Sequence, residues 1–264
     1  AALVHNLVDD RDREFGKQAD GRHNAFELVR AVLLGNATGF GLEGDQNVAD
    51  LTLDESRLAL APGIAQAAVF DGWSADALDM AADQLGADRD VARLAFKDDG
   101  AMGMICAWIE TIDRQMILDL PPGKLAAMKI RERIRSLLQF RLEAVKGQEE
   151  SLRRALSIMA MPQNARRALK AGWHRADVMW RLAGDTATDY NHYTKRAILA
   201  SIYAATLAVF VEDEGEEKAE TKAFLDRRIE GVMKFERTKA KWLSPDREHF
   251  SVSRFLGRLR YPAR

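Results

Sequence analysis

The amino-acid sequence predicts an all-α protein. Apolar residues recur at three- and four-residue spacing through most of the chain, alternating β-branched runs are missing, and capping or breaking residues close the periodic segments. With 264 residues, 47% of them hydrophobic, the chain can bury a sizeable core in one large domain or two small ones.

Residues 1–48 are the least patterned part. One short helix is expected at "NAFELVRAVLLG", and the Gly and Asn residues of "NATGFGLEGDQN" then read as a linker, so this segment is an appendage of unknown role. Three helices follow at 53–70, 74–85 and 88–95, with Ser74 as an N-cap and Gly86 as a stop. A longer helix at 101–118 ends before Pro121 and Pro122. The next runs over 124–145, on a stripe that includes Leu125, Met128, Ile134, Leu137 and Leu138. Shorter helices are expected at 152–159, 165–169 and 172–182, and two long ones at 191–212 and 217–239. The domain division that results is 1–48, an extension; 49–100; 101–240; and 241–264, a basic amphipathic segment.

From Ala197 to Val211 the chain is apolar on almost every side, so that stretch must be buried or meet a lipid. Its fifteen residues fall short of the roughly 18 to 20 that span hydrocarbon, and Arg196 and Glu212 close it, so no spanning helix is expected. Cys106 is the single cysteine, which excludes an intrachain disulfide and suits a reducing compartment. Asp9, Asp10, Asp12 and Glu14 do not suit a signal or transit peptide, and a cytoplasmic location follows.

No glycine-rich phosphate loop, GxSxG or cysteine–histidine pattern is present, so no catalytic residue is assigned. Asp189 and His192 have a spacing that shares a helix face, but Glu-x-x-His is missing and His5, His23, His174 and His249 do not complete a ligand set. Neither a metal nor another cofactor is expected.

The formal charge of −1 conceals a polarity. Residues 53–108 are acidic, with Asp76, Asp79, Asp83, Asp88 and Asp90 among ten acids and only Arg57, Arg89, Arg93 and Lys97 against them. Residues 234–264 are basic. The stretch "FDGWSADALDMAADQLGADRDVARLAFKDDGAM" resembles the amino-terminal domain of TetR-type regulators, which implies a helix-turn-helix and, in its obvious use, DNA binding. The acids argue against that use, because phosphate binding depends on basic neutralisation. No nucleic-acid partner is expected.

A second resemblance is more extensive. "RALSIMAMPQNARRAL", "WHRADVMWRLAGDTATDYNHYTKRAILASIYAATLAVFVED" and "AFLDRRIEGVMKFE" together resemble the coenzyme Q biosynthesis accessory family, the ninth member of the Coq series, over about residues 51–239 and most densely over 154–236. The resemblance implies a TetR-family-like helical fold with a degenerate helix-turn-helix domain and a helical lipid-binding and dimerisation domain. It implies a homodimer without catalytic activity that takes up a polyprenylated quinone intermediate and presents it to the di-iron demethoxyubiquinone hydroxylase. A bound isoprenoid or phospholipid is expected. On the long apolar helix the resemblance points to Leu199, Ile202, Tyr203, Thr206 and Phe210 as lining a lipid tunnel. Met104, Met159, Met161, Trp173, Met179 and Trp180 are the other candidates, since flexible methionines suit a ligand of variable shape.

The polar start of that helix carries a further implication. Lys195 and Arg196 are unfavourable at a helix N-terminus and so serve something else. The family places a surface patch for docking the hydroxylase here. Asp189, Tyr193 and Arg196 match its pattern, while His192 stands where the animal form has tryptophan, a weaker aromatic anchor.

In "REHFSVSRFLGRLRYPAR", Val252, Phe255, Leu256 and Leu259 share a helical face, with Arg254 and Arg258 in another sector. Such a helix lies in a bilayer interface, its arginines near anionic headgroups. The sequence therefore predicts an accessory protein of ubiquinone biosynthesis peripherally bound to the inner membrane of a bacterium. The alternative is a TetR-type transcriptional regulator that senses a hydrophobic ligand.

Overall fold

Thr52 opens the first helix with a capping box: its hydroxyl accepts the Glu55 N–H at 3.3 Å, and the Glu55 carboxylate accepts the Thr52 N–H at 2.9 Å. In the computed structural model, residues 51–186 and 190–243 are described. Asp189, the helix expected near 24–35 and the whole tail segment, with Val252, Arg254, Phe255, Leu256, Arg258 and Leu259, lie outside the described residues. Those described form α-helices joined by turns, with no strand among them, which bears out the all-α prediction.

Helix α1 (Leu53–Asp71), α2 (Ala75–Leu85) and α3 (Arg89–Phe96) form a three-helix unit. Ser74 caps α2 by accepting the Ala77 N–H, and Gly86 ends it at φ 70°, both as the sequence indicates. Small residues let α1 and α2 cross closely; a Cβ at Gly63 would lie 3.1 Å from that of Ala81. Asp88 starts α3 by accepting the N–H groups of Asp90 and Val91.

Helix α4 (Gly100–Asp119) carries the chain into the larger body. Trp73 welds the two parts: its ring lies 5.4 Å from that of Trp108, and its indole N–H donates to the Ser151 carbonyl at 3.0 Å. The Ser151 hydroxyl donates in turn to the Ala65 carbonyl of α1 at 2.6 Å. One contiguous core therefore runs from Leu60 and Ile64 of α1 through Trp108 and Ile112 of α4 to Leu199 and Phe210 further on.

One helix expected over 124–145 is divided into α5 (Pro122–Ala126) and α6 (Ile130–Glu143). Lys129 is extended between them, and the Glu132 carboxylate accepts its N–H at 3.1 Å, restarting the helix. Arg133 stabilises the break by donating to three carbonyls, those of Ala126, Met128 and Ala183. Two helices expected at 165–169 and 172–182 are instead one. After α7 (Glu149–Ala160) and a 3₁₀ turn at Pro162–Asn164, α8 (Ala165–Leu182) continues through Gly172, because an interior glycine costs only about 1 kcal/mol against alanine.

Helix α9 (Tyr190–Glu212) packs against α7, α8 and α10 (Ala219–Leu243). Asp213 ties α9 to α10, its carboxylate accepting the Thr221 N–H at 2.9 Å and hydroxyl at 2.8 Å. The stretch His192–Glu212 is long and apolar enough by length and composition to cross a membrane, contrary to the reading of the sequence. In this fold part of it is covered by neighbouring helices, and an ion-paired arginine is buried near its start.

Candidate functional site

The start of α9 is built around a buried charge. Arg196 is 1% exposed, and its Nε donates to Asp177 of α8 at 2.6 Å. Its Nη1 donates to Asp185 in the α8–α9 connection and to the His192 carbonyl, each at 3.1 Å. Lys195 reaches Asp185 at 2.6 Å, and its ammonium lies over the Trp180 ring at 5.3 Å. The basic pair that is unfavourable for the helix dipole thus holds the α8–α9 hairpin closed. This corrects the sequence reading of Arg196 as a surface contact, because both acids that hold it are themselves largely enclosed.

Above this network lies an aromatic patch. Tyr193 is 61% exposed, and its ring stands 5.9 Å from Trp173 and 5.1 Å from His192. Trp173 and His192 are half-buried. The residues expected at the patch are therefore sorted by depth: Tyr193 outermost, His192 at its side, Arg196 beneath.

Trp173 also forms part of the wall of a cavity of about 720 Å³ between α4, α6, α7, α8 and α9. Its lining is overwhelmingly apolar, and the size falls within the range of small-molecule sites, about 300–1,000 Å³. The space exists because the facing side chains are small: Ala165, Ala168, Ala171 and Gly172 on α8, and Ala197, Ala200, Ser201 and Ala204 on α9. Helices of ordinary width cannot close over such stripes when Trp108, Ile112 and Leu207 hold the remaining walls. Exposed Ala160, Ala165, Leu169 and Ala197 mark the mouth, and buried Ile105, Trp108 and Ile112 the inner end.

Among the residues expected to meet a lipid, Met159, Trp173 and Tyr203 line this cavity. Leu199, Ile202, Thr206 and Phe210 do not. They form the opposite stripe of α9 and are buried in the core, with the Thr206 hydroxyl bonded back to the Ile202 carbonyl. Met104 and Met179 are also core residues, Trp180 donates its indole N–H to the Lys195 carbonyl, and Met161 is exposed at the α7 end. The lining that sequence reasoning missed is the alanine and glycine stripes. Their three- and four-residue spacing on two neighbouring helices was the available signal.

At the other end of the molecule, the arginines of α3 are engaged. Arg89 bonds Asp83 at 2.8 Å, and Arg93 bonds Asp79 at 3.0 Å. The surface offered there is a set of neutralised pairs among further acids, a poor match for phosphates.

The α8–α9 network carries a pH signature. Burial alone would raise the carboxyls of Asp177 and Asp185, but hydrogen bonds and charges from Arg196, with Arg181 at Asp177 and Lys195 at Asp185, outweigh it and hold both below the ordinary aspartate range. Groups depressed in the folded state add stability above their unfolded pKa, about 3.9, and lose it as the pH falls through the folded values. Denaturant midpoints should therefore be flat above about pH 5 and fall below about pH 4. Arg196→Ala, which leaves Asp177 with only Arg181 and Asp185 with only Lys195 as cationic partners, should lose about 1–3 kcal/mol at neutral pH and flatten the acid limb. An unchanged acid limb in that variant would show that the network does not control it.

The COQ9 family model matches residues 165–236, which span α8, α9 and most of α10. The chain is 33% identical over 171 residues to the rat "Ubiquinone biosynthesis protein COQ9, mitochondrial", covering 61% of this chain and 54% of that protein. It is 30% identical over 169 residues to the human protein of the same name, with 61% and 52% covered. The chain thus spans about half the length of these relatives. A TetR transcriptional regulator from Nitrosomonas europaea ATCC 19718 has a similar fold, with a TM-score of 0.53 and 22% identity, over 71% of this chain and 98% of the regulator. The segment that builds the α8 and α9 walls of the cavity, the buried Arg196 network and the aromatic patch matches the COQ9 family model, on an all-α fold of the TetR type.

Proposed function

We propose that this chain is a non-catalytic accessory protein of ubiquinone biosynthesis that shields a polyprenylated quinone intermediate in the α4–α9 cavity and presents it to the demethoxyubiquinone hydroxylase. One observation carries the reading. Trp173 belongs both to the wall of an apolar cavity and to an exposed aromatic patch, and the patch and the α8 and α9 walls of the cavity lie in the segment that matches the COQ9 family. Apolar surface in such a cavity favours a hydrocarbon chain by roughly 25 cal/mol per Å² removed from water. Exposed tyrosine over a rigid base is the kind of anchor that carries interface energy. Four members of the wall, Met159, Trp173, Tyr203 and Leu207, supply large deformable or flat surfaces to a chain of irregular shape.

The protein acts as a homodimer and works at a membrane surface, the inner membrane in a bacterium, where such intermediates reside. The basic segment 247–261 brings the cavity to the lipid. The engaged arginines of α3 favour this reading over transcriptional regulation.

Lipid extraction and native mass spectrometry of the purified protein test the proposal. A dimer carrying isoprenoid or phospholipid is expected, and a lipid-free protein that shifts duplex DNA would overturn it. Gly172→Phe is the sharper probe. A Cβ at Gly172 meets nothing within 4 Å, and its φ is not in the left-handed region, so the ring enters open space while helix propensity improves. Bound lipid should fall while the thermal midpoint holds or rises. Undiminished lipid content would place the ligand elsewhere. Tyr193→Ala should lower hydroxylase affinity by at least about tenfold, that is about 1.4 kcal/mol, and leave lipid content unchanged; equal affinity in a pull-down titration would remove the patch from the interface. Deleting residues 247–264 should lower sedimentation with anionic vesicles without changing helicity, and retained sedimentation would dismiss the tail as the anchor.

A further inference from the structure

The cavity is not apolar throughout. Two arginines line it, Arg141 of α6 and Arg175 of α8, and both pair with one acid, Asp113 of α4. Arg141 is 1% exposed and Arg175 keeps 11% of its side chain open. The Nε atoms of both are buried without a hydrogen-bond acceptor among the described residues; that of Arg175 lies 2.7 Å from Asp113 but not in hydrogen-bond geometry. Two guanidiniums facing one carboxylate leave one positive charge in excess at the inner end of a greasy cavity.

Among the described residues, the lining itself holds no acid, and Glu110, whose charge also acts on Arg175, stands outside it. On α4, Glu110 is half exposed and bonded to Arg114 at 2.8 Å, and burial raises the Cys106 thiol so that it stays neutral. On α9, the Tyr203 ring lies under the Arg141 guanidinium at 4.9 Å, a neutral face for a cation. The lining that α7 contributes, Leu152, Ala155, Leu156 and Met159, is wholly apolar. Burial pushes Arg175 below its ordinary value, which is the cost of a charge incompletely compensated. An uncompensated buried charge costs several kcal/mol, so a site that retains one is matched to a ligand that supplies the opposite sign.

We propose that the cavity selects an amphiphile with a single anionic head, a carboxylate or a phosphate, seated on Arg175 and Arg141, with its hydrocarbon chain leading back along the alanine stripes to the mouth. This assignment rests on the lipid-binding reading and goes beyond it: a quinone head is neutral and leaves the excess charge in place, so the anionic amphiphile is a second ligand class that competes with the quinone intermediate for this cavity. The head goes in first, because the charged groups lie at the buried end, while the exposed rim at Ala160, Leu169, Ala197 and Ser201 carries no charge and the Ser201 hydroxyl is bonded back to the Ile198 carbonyl. Guanidiniums suit the role, since they present paired N–H donors that match two acidic oxygens.

The test compares three probes with the same eighteen-carbon chain, each below its micelle concentration: oleate, oleyl phosphate and oleyl alcohol, titrated into the delipidated full chain and read by calorimetry or native mass spectrometry. Oleate or oleyl phosphate should bind at least about tenfold more tightly than the alcohol, and the tighter of the two names the head chemistry. Arg175→Gln leaves the Arg141–Asp113 pair balanced and should erase that preference without weakening the alcohol, whereas Arg175→Lys should retain most of it. Equal binding of the acids and the alcohol by the unmodified protein, or a preference that survives Arg175→Gln, would overturn the head-group assignment while leaving lipid binding intact. Failure to bind any of the three would overturn both. Should Arg175→Gln not fold, the comparison of heads on the unmodified protein still decides.

Discussion

A guanidinium sealed under an aromatic patch determines the relation between α8 and α9. Arg196 projects from the first turns of an apolar helix and is met by Asp177 from α8 and Asp185 from the connection between them. Charges taken out of water are tolerated only when their partners are placed well, and here the partners come from three points of one hairpin. The pairing is not a generous source of stability, since hydrophobic residues of similar volume could often do as well. Its effect is geometric: apolar side chains could slide along one another, whereas these bonds permit one register of α9 against α8. The cavity between the two helices and the Trp173–Tyr193–His192 patch above both require that register.

The cavity itself is made by omission. Protein interiors ordinarily close to crystal-like density, and a void costs the dispersion contacts of its lining. Alanines at Ala165, Ala168, Ala197, Ala200 and Ala204, with Gly172, leave a gap that their larger neighbours are too firmly held to fill. The Trp73–Trp108–Ser151 weld accounts for part of that firmness, because Trp108 is at once a wall of the cavity and a link to the three-helix unit. A fold shared with regulators supplies this frame. The ligand it suits depends on wall residues that the frame does not dictate, including the unequal count of arginines and aspartate at the buried end.

The amino-terminal unit shows how charge can change the meaning of a shared shape. Its helices fall in the stretch that resembles a helix-turn-helix domain, with the Ser74 cap and the Gly86 stop where the sequence indicated them. Its surface arginines are nonetheless satisfied by Asp79 and Asp83 from the preceding helix. Phosphate affinity requires cations that are available, and these are already paired.

By itself the sequence determined the helical class, the order of helices, the principal caps and the family resemblance, because these depend on local periodicity, backbone-compatible residues and long-range pattern. It also located the important helix. It did not decide which face of that helix meets the cavity: a segment apolar on all sides has no polar stripe to tell a core-facing side from a ligand-facing one, so Leu199, Ile202, Thr206 and Phe210 were as plausible as the alanines. Nor could it decide that Lys195 and Arg196 turn inward, since their acidic partners lie ten to nineteen residues away. The meeting of Asp113 with Arg141 and Arg175 is more distant still, and three helices must pack before two positive charges share one negative. Contacts between remote residues arise only from packing, and the tertiary structure alone decided them.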